Sequence, residues 1–177
     1  MMNEKLNFIF SRRSIRAYQN KPVEKEKIED LMKAAMAAPS AVAKDPWHFI
    51  VIENHETKEQ ISQALPNGKM LASAPLGIIV CGDLNTAHSG QLSYLLQDCS
   101  AAIQNILLAA NALGLGACWL GVHPREERIN HIRKFFQLPD NMIPVCAISL
   151  GYPAEEKPPR TRYNKEKVHY ETSMIKC

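Results

Sequence analysis

Apolar residues along this chain recur with two different periods. Across residues 24–38, Ile28, Leu31, Met32, Ala35 and Met36 lie three or four apart, which predicts an amphipathic helix. Pro22 precedes that segment and Pro39 stops it. Residues 55–65 show a weaker helical pattern, with Ile61 and Leu65 four apart. The longest pattern covers 91–113. There Leu92, Leu95, Leu96, Cys99, Ile103, Ile106, Leu107, Ala110 and Leu113 form an apolar face wide enough for a helix through the core. Gly114 and Gly116 end it. Residues 125–136 predict a further helix between Pro124 and Pro139, and 3–10 a short first one.

Four short β-rich runs sit among these helices, at 48–52, 76–81, 117–122 and 145–150. The interleaving predicts an αβ sandwich, with helices on both faces of one sheet. Strand order and direction stay open at this level. Residues 151–177 are Pro-rich and charged without a period, so they form a tail that wraps something or stays disordered. A length of 177 residues, with no internal repeat, predicts one domain over 1–177.

Composition narrows the function. Hydrophobic residues at 46% and charged residues at 22% are ordinary for a globular protein with a buried core. A net charge of +3 argues against a nucleic-acid coat or a membrane-surface protein. The amino terminus lacks the apolar region and cleavage site of a signal peptide, and no run of about 18 apolar residues exists. The expected home is the cytoplasm, with no membrane and no nucleic-acid partner. Cys81, Cys99, Cys118, Cys146 and Cys177 show no CxxC spacing and read as thiols; Cys81, Cys99 and Cys146 lie in apolar runs, as small hydrophobes. The six histidines have no metal-ligand spacing, so no metal is expected.

Four segments carry candidate chemistry. Arg12, Arg13, Ser14 and Arg16 place three guanidiniums and a hydroxyl within five residues, matching phosphate oxygens in charge and geometry. The segment from Ala38 through Pro39, Ser40, Ala41, Val42, Ala43, Lys44 and Asp45 to Pro46-Trp47 joins a helix to a strand with small side chains, which lets a flat ligand approach the backbone. Gly114-Leu115-Gly116 leads into a strand ending at Gly121; its spacing is not that of a dinucleotide fingerprint, and a strand follows where a helix should. Arg160 and Arg162 alternate in the tail and point the same way if it is extended, making a second phosphate clamp. Taken singly, each segment also reads as an ordinary loop or a solvated basic stretch.

In this order and at this length, the four segments resemble the FMN-dependent nitroreductase family. The resemblance runs from about Phe8 to Tyr170, through RRSIR, PSA…PWHFIVI, GLGACWLG and GYPAEEKPPR. It implies an α+β fold, an αβα sandwich with a mainly antiparallel central sheet. It also implies an intertwined homodimer with FMN at the interface, in which 151–177 embraces the partner subunit. By the same match, Arg12, Arg13, Ser14 and Arg16 hold the FMN phosphate, ribityl chain and pyrimidine edge. Pro39, Ser40 and Ala41 form the loop that the partner lays against the flavin. Asn67 and Lys69 form a polar pair near the pyrimidine. Leu120 and Gly121 bring backbone N–H groups to flavin N5 and O4, and Arg160 and Arg162 grip the phosphate.

The implied reaction is ping-pong. NADH or NADPH delivers hydride to flavin N5, and an electron-poor small molecule such as a nitroaromatic or quinone then takes the electrons. No side chain need act as a general acid or base, and Cys118 and Trp119 are expected to pack. One departure bears on this. Ala43 and Asp45 stand where the family often has Asn and Gln, and Lys44 is the adjacent candidate to neutralise Asp45. The alternatives are a related flavin enzyme with another acceptor (enone reduction, dehalogenation) and a flavin-binding protein without turnover.

Overall fold

A computed structural model describes residues 3–171. The end of the tail, including Cys177, lies outside the described residues. Four strands make one sheet: β1 (Trp47–Ile52), β2 (Leu76–Asp83), β3 (Gly116–Gly121) and β4 (Met142–Gly151). Their order is β1-β2-β4-β3, and every neighbouring pair is antiparallel. Among the described residues the α-helices are α1 (Asn7–Phe10), α2 (Lys25–Met36), α3 (His55–Gln63), α4 (Met70–Ser73), α5 (Leu92–Ala112) and α6 (Glu126–Phe136).

Alternation on the inner strands builds two cores. Ile78 and Val80 of β2, with Cys146, Ile148 and Leu150 of β4, face Leu31 and Ala35 of α2 and the buried stripe of α5. Ile79, Cys81 and Ala147 face the other way, against Ile61 of α3, Leu71 of α4, and Ile129 and Ile132 of α6. The result is an αβα sandwich of the α+β class. Burial lifts the Cys81 and Cys99 thiols to about 12 and raises Cys146 too, so all three are inert packing groups.

The departures from the sequence reading have physical causes. The first helix breaks into a 3₁₀ turn at Glu4–Leu6 followed by α1. Helix α4 is a single turn, too short to show a period. Strand β4 begins three residues early and passes through Pro144, which reads as a breaker. The ladder with β2 shifts register between Val80 and Cys81, and Pro144 sits opposite Cys81 at that irregularity, where a strand tolerates a missing N–H. Met36, assigned to the apolar face of α2, is exposed; Ala35 closes that face. Lys58 is buried, and its ammonium donates to the carbonyls of Ala74 (2.6 Å) and Pro75 (2.9 Å) at the end of α4.

Ile103 of α5 is fully buried between sheet and helix. Ile103→Ala should cost about 2–5 kcal/mol in a urea titration, through lost burial and the cavity left behind.

Candidate functional site

The site begins where residues 11–19, an arm between α1 and α2, lie along the free edge of β3. Ser14 forms a parallel bridge with Ala117, and Ile15 N–H donates to the Ala117 carbonyl at 3.1 Å. Gly116 allows this approach, because a Cβ there would stand 2.7 Å from the Ile15 Cβ. Tyr18 pins the next turn. Its hydroxyl lies 2.6 Å from the Ile15 carbonyl, 3.0 Å from the Ser149 carbonyl and 2.8 Å from Ser149 Oγ. Burial raises the Tyr18 phenol well above its ordinary range, so it remains a proton donor.

The first part of the tail runs beside this arm. Gln19 N–H donates to the Tyr152 carbonyl (2.8 Å), Ala154 N–H to Ala17 (2.9 Å) and Arg160 N–H to Phe10 (3.3 Å). Glu155 ties the two segments. Its Oε1 accepts from Arg16 N–H (2.5 Å), Ala17 N–H (3.3 Å) and Lys157 Nζ (2.8 Å). Lys157 also donates to the Ser14 carbonyl at 2.9 Å, and the Arg13 guanidinium donates to the carbonyl of Pro158. The Lys157 ammonium, then the Arg16 amide, holds the Glu155 carboxyl below its usual range.

This docking creates a cleft of about 550 Å³ lined by Arg12, Arg13, Ser14, Arg16, Lys157, Arg160 and Arg162. Six of the seven side chains are cationic. Among the described residues only Lys157 has a carboxylate partner there. Uncompensated guanidiniums this close together favour a multiply charged anion.

A second cavity of about 180 Å³ adjoins it through Arg16. Its lining includes Leu65, Asn67, Gly68, Cys118, Trp119, Leu120, Gly121 and Arg128. The Ala117 carbonyl points away from β4 to meet Ile15. Strand alternation therefore puts the backbone groups of Trp119 and Gly121 on that same open edge. Apart from Gly121 and its two chain neighbours, no atom of the described residues lies within 4 Å of where a Gly121 Cβ would stand. Nothing in the chain itself demands glycine here, whereas a flat ligand pressed on the backbone would.

Most of the expected site residues meet in these two spaces. Arg12, Arg13, Ser14, Arg16, Arg160 and Arg162 share the first, and Asn67, Leu120 and Gly121 the second. Alternation turns the Leu120 backbone groups towards β4, so the expected Leu120 N–H is not on the open edge, and Trp119 takes that place beside Gly121. Lys69 is exposed at the start of α4 and lines neither. Pro39, Ser40 and Ala41 precede β1, at the opposite edge of the sheet from β3. Three inter-strand spacings, about 14 Å, separate those edges. Trp119, expected to pack, is 38% exposed beside the second cavity, while Cys118 packs in the core and also touches the cavity wall. Burial raises the Cys118 thiol, with Arg16 as the main opposing influence.

Two further cations line these spaces without a role in the sequence reading, Lys157 and Arg128. Lys157 stands three residues before Arg160 in the same basic run, which was signal enough to find it. Arg128 had no local signal; the packing of α6 brings it to the strand end, where its Nη1 donates to the Gly121 carbonyl at 2.7 Å.

The 39–46 loop is held taut. Ala41 N–H donates to Oδ1 of buried Asp98 (2.9 Å), while Asp98 Oδ2 has no hydrogen-bond partner. Ser40 Oγ donates to Asp45 Oδ1 (2.5 Å) and accepts Asp45 N–H (2.9 Å). Asp45 is thus engaged by Ser40, and no Lys44–Asp45 pair forms among the described residues. Val42, Ala43 and Asp45 adopt φ of 50°, 53° and 49°, strained for residues with a Cβ.

The sequence profile of the nitroreductase family matches residues 9–68 and 63–152. The chain belongs to this family. A Methanothermobacter thermautotrophicus relative, provisionally named NADH dehydrogenase/NAD(P)H nitroreductase, is 47% identical over 166 residues, covering 94% of this chain and 86% of the relative. The crystal structure of a Bacteroides thetaiotaomicron protein with the same provisional name superposes with a TM-score of 0.90. It is 44% identical and covers 97% of this chain and 99% of that one. An FMN-dependent nitroreductase from Clostridium difficile gives a TM-score of 0.87 at 34% identity, over 94% and 98% of the two chains. This nitroreductase-family chain contains no helix, among the described residues, long and apolar enough to cross a membrane.

Glu155→Gln should lower the melting temperature at neutral pH, because it breaks the tie between arm and tail. The native Glu155 pKa is depressed, so its contribution is full above about pH 4.5 and is lost as pH falls through the native value. Melting curves of wild type and variant should therefore converge as the pH falls below about 4.5. Gly116→Val should cost about 1–3 kcal/mol by forcing Ile15 off β3, measurable by urea unfolding.

Proposed function

We propose that this protein is an NAD(P)H-dependent FMN oxidoreductase that reduces electron-poor acceptors such as nitroaromatics or quinones. The carrying observation is that two spaces share Arg16 in their walls: a cleft with six cations and a serine, and a cavity along the β3 edge at Trp119–Gly121. The first fits a phosphate monoester, which carries about −1.5 to −2 charges at neutral pH. The second fits a flat polar ring system. Support also comes from family membership and from relatives named for NAD(P)H nitroreductase and FMN-dependent nitroreductase activity.

In this reading Arg12, Arg160 and Arg162 bind the phosphate, with Ser14 donating a hydroxyl. Arg13 and Lys157 chiefly fasten the tail that completes the cleft. Arg16 spans both spaces and holds positive charge at the junction, while Asn67 and the β3 edge orient the ring. When bound, FMN supplies the hydride and electron-transfer chemistry between nicotinamide nucleotide and acceptor. The chain's part is position, charge and exclusion of water; no proton-transferring side chain is assigned.

The working unit is a homodimer. The loop with Pro39, Ser40 and Ala41 is strained, exposes Val42, and lies across the sheet from its own cleft, which suits delivery to a second copy's site. Residues 161–171 are exposed with no core of their own, which suits a tail laid on that copy.

The purified protein should be yellow and should bleach on addition of NADPH or NADH. A colourless chain that takes up no FMN in a titration overturns the assignment. Arg12→Ala with Arg162→Ala should remove about 1.5–3 kcal/mol per lost charged hydrogen bond, weakening FMN about a hundredfold or more. Sedimentation should give twice the mass of the chain; a monomer that holds FMN tightly would refute the shared site.

A further inference from the structure

Arg128 sits in the first turn of α6 and reaches back to the end of β3, where its Nη1 holds the Gly121 carbonyl at 2.7 Å. Its Nε is buried and has no hydrogen-bond partner. The nearest acid, Glu127, lies 3.9 Å from that Nε, and its own side chain is 72% exposed, so solvent screens it. The Arg128 side chain is only 22% exposed and lines the same cavity as Asn67, Trp119 and Gly121. That cavity is lined by two guanidiniums, Arg128 and Arg16, and by no carboxylate.

We propose that Arg128 is a positioning and potential-setting residue: it locks the open end of β3 and lends that cavity positive charge, which favours the reduced over the oxidised form of the flavin held there. This rests on the flavin reading given above. Two physical effects combine. A bond from a charged donor to the Gly121 carbonyl fixes the orientation of the terminal peptide, so the outward edge of β3 is presented in one geometry. A partly buried charge acts through a lower effective dielectric than bulk water and stabilises whichever state of a neighbouring ring carries more electron density. Arg128 differs from Arg12, Arg160 and Arg162 in standing at the ring space and not in the phosphate cleft.

The test uses the FMN-loaded protein. The midpoint potential of bound flavin is measured by dye equilibration, alongside the affinity for oxidised FMN and the melting temperature. Arg128→Gln should lower the ratio of reduced to oxidised FMN affinity about tenfold, equivalent to about −30 mV for a two-electron couple. Arg128→Lys, which keeps the charge, should retain most of the wild-type potential near neutral pH. Its potential should then fall relative to wild type as the new lysine loses its proton near pH 10. That second measurement decides the matter if the Gln variant does not fold. A Gln variant of wild-type potential, or a Lys variant whose potential tracks wild type through pH 10, reduces Arg128 to a structural tie and overturns the proposal. A wild-type chain that binds no FMN overturns the flavin reading and this inference together. A wild type that binds FMN with Arg128 variants of unaltered potential overturns this inference alone.

Discussion

One carboxylate allows six cations to share a cleft. Glu155 accepts two backbone N–H groups of the arm and the Lys157 ammonium, and Lys157 returns to the Ser14 carbonyl. Without such a tie, Arg12, Arg13 and Arg16 on one segment would repel Arg160 and Arg162 on another. Neutral bonds add to it: Gln19 to Tyr152, Ala154 to Ala17, and Tyr18 to buried Ser149. The cleft is therefore preorganised by contacts that make little use of its outermost guanidiniums. Their charge remains available to an anion, so less ordering has to accompany binding.

The sheet supplies the rigid frame for this arrangement. Strands β2 and β4 are buried on both faces, and each face carries its own helical layer. Edge strand β3 keeps one side free, and the arm covers only its first part through Ser14 and Ile15. The uncovered part, at Trp119 and Gly121, is a ledge. An unpaired edge is normally a liability for aggregation. Here it is short, flanked by Arg16 and Arg128, and sunk in a cavity.

At the far edge, the 39–46 loop is strained. Three residues with a Cβ hold positive φ, and buried Asp98 spends one carboxylate oxygen on the Ala41 amide. The substitutions that set this loop apart, Ala43 and Asp45, both occupy left-handed positions. Asp45 compensates locally by closing a ring with Ser40. Its negative charge is thus built into the loop's shape, and Lys44 is left to solvent.

Much of the molecule was readable from the amino-acid order alone. The periods of 24–38 and 91–113 located α2 and α5, because a helix that packs on a sheet must present an apolar stripe. The β-rich runs located all four strands, although Pro144 hid the start of β4. The basic clusters at Arg12–Arg16 and Arg160–Arg162 marked the cleft, since like charges this dense imply an anion. Tertiary structure alone decided the rest. Strand order placed the arm on β3 and the 39–46 loop across the sheet, which no local pattern encodes. It also brought Arg128 from a separate helix onto Gly121 and left Lys69 outside both cavities. Local periodicity reports which face of an element is buried; only the packing of elements distant in sequence determines which charges meet.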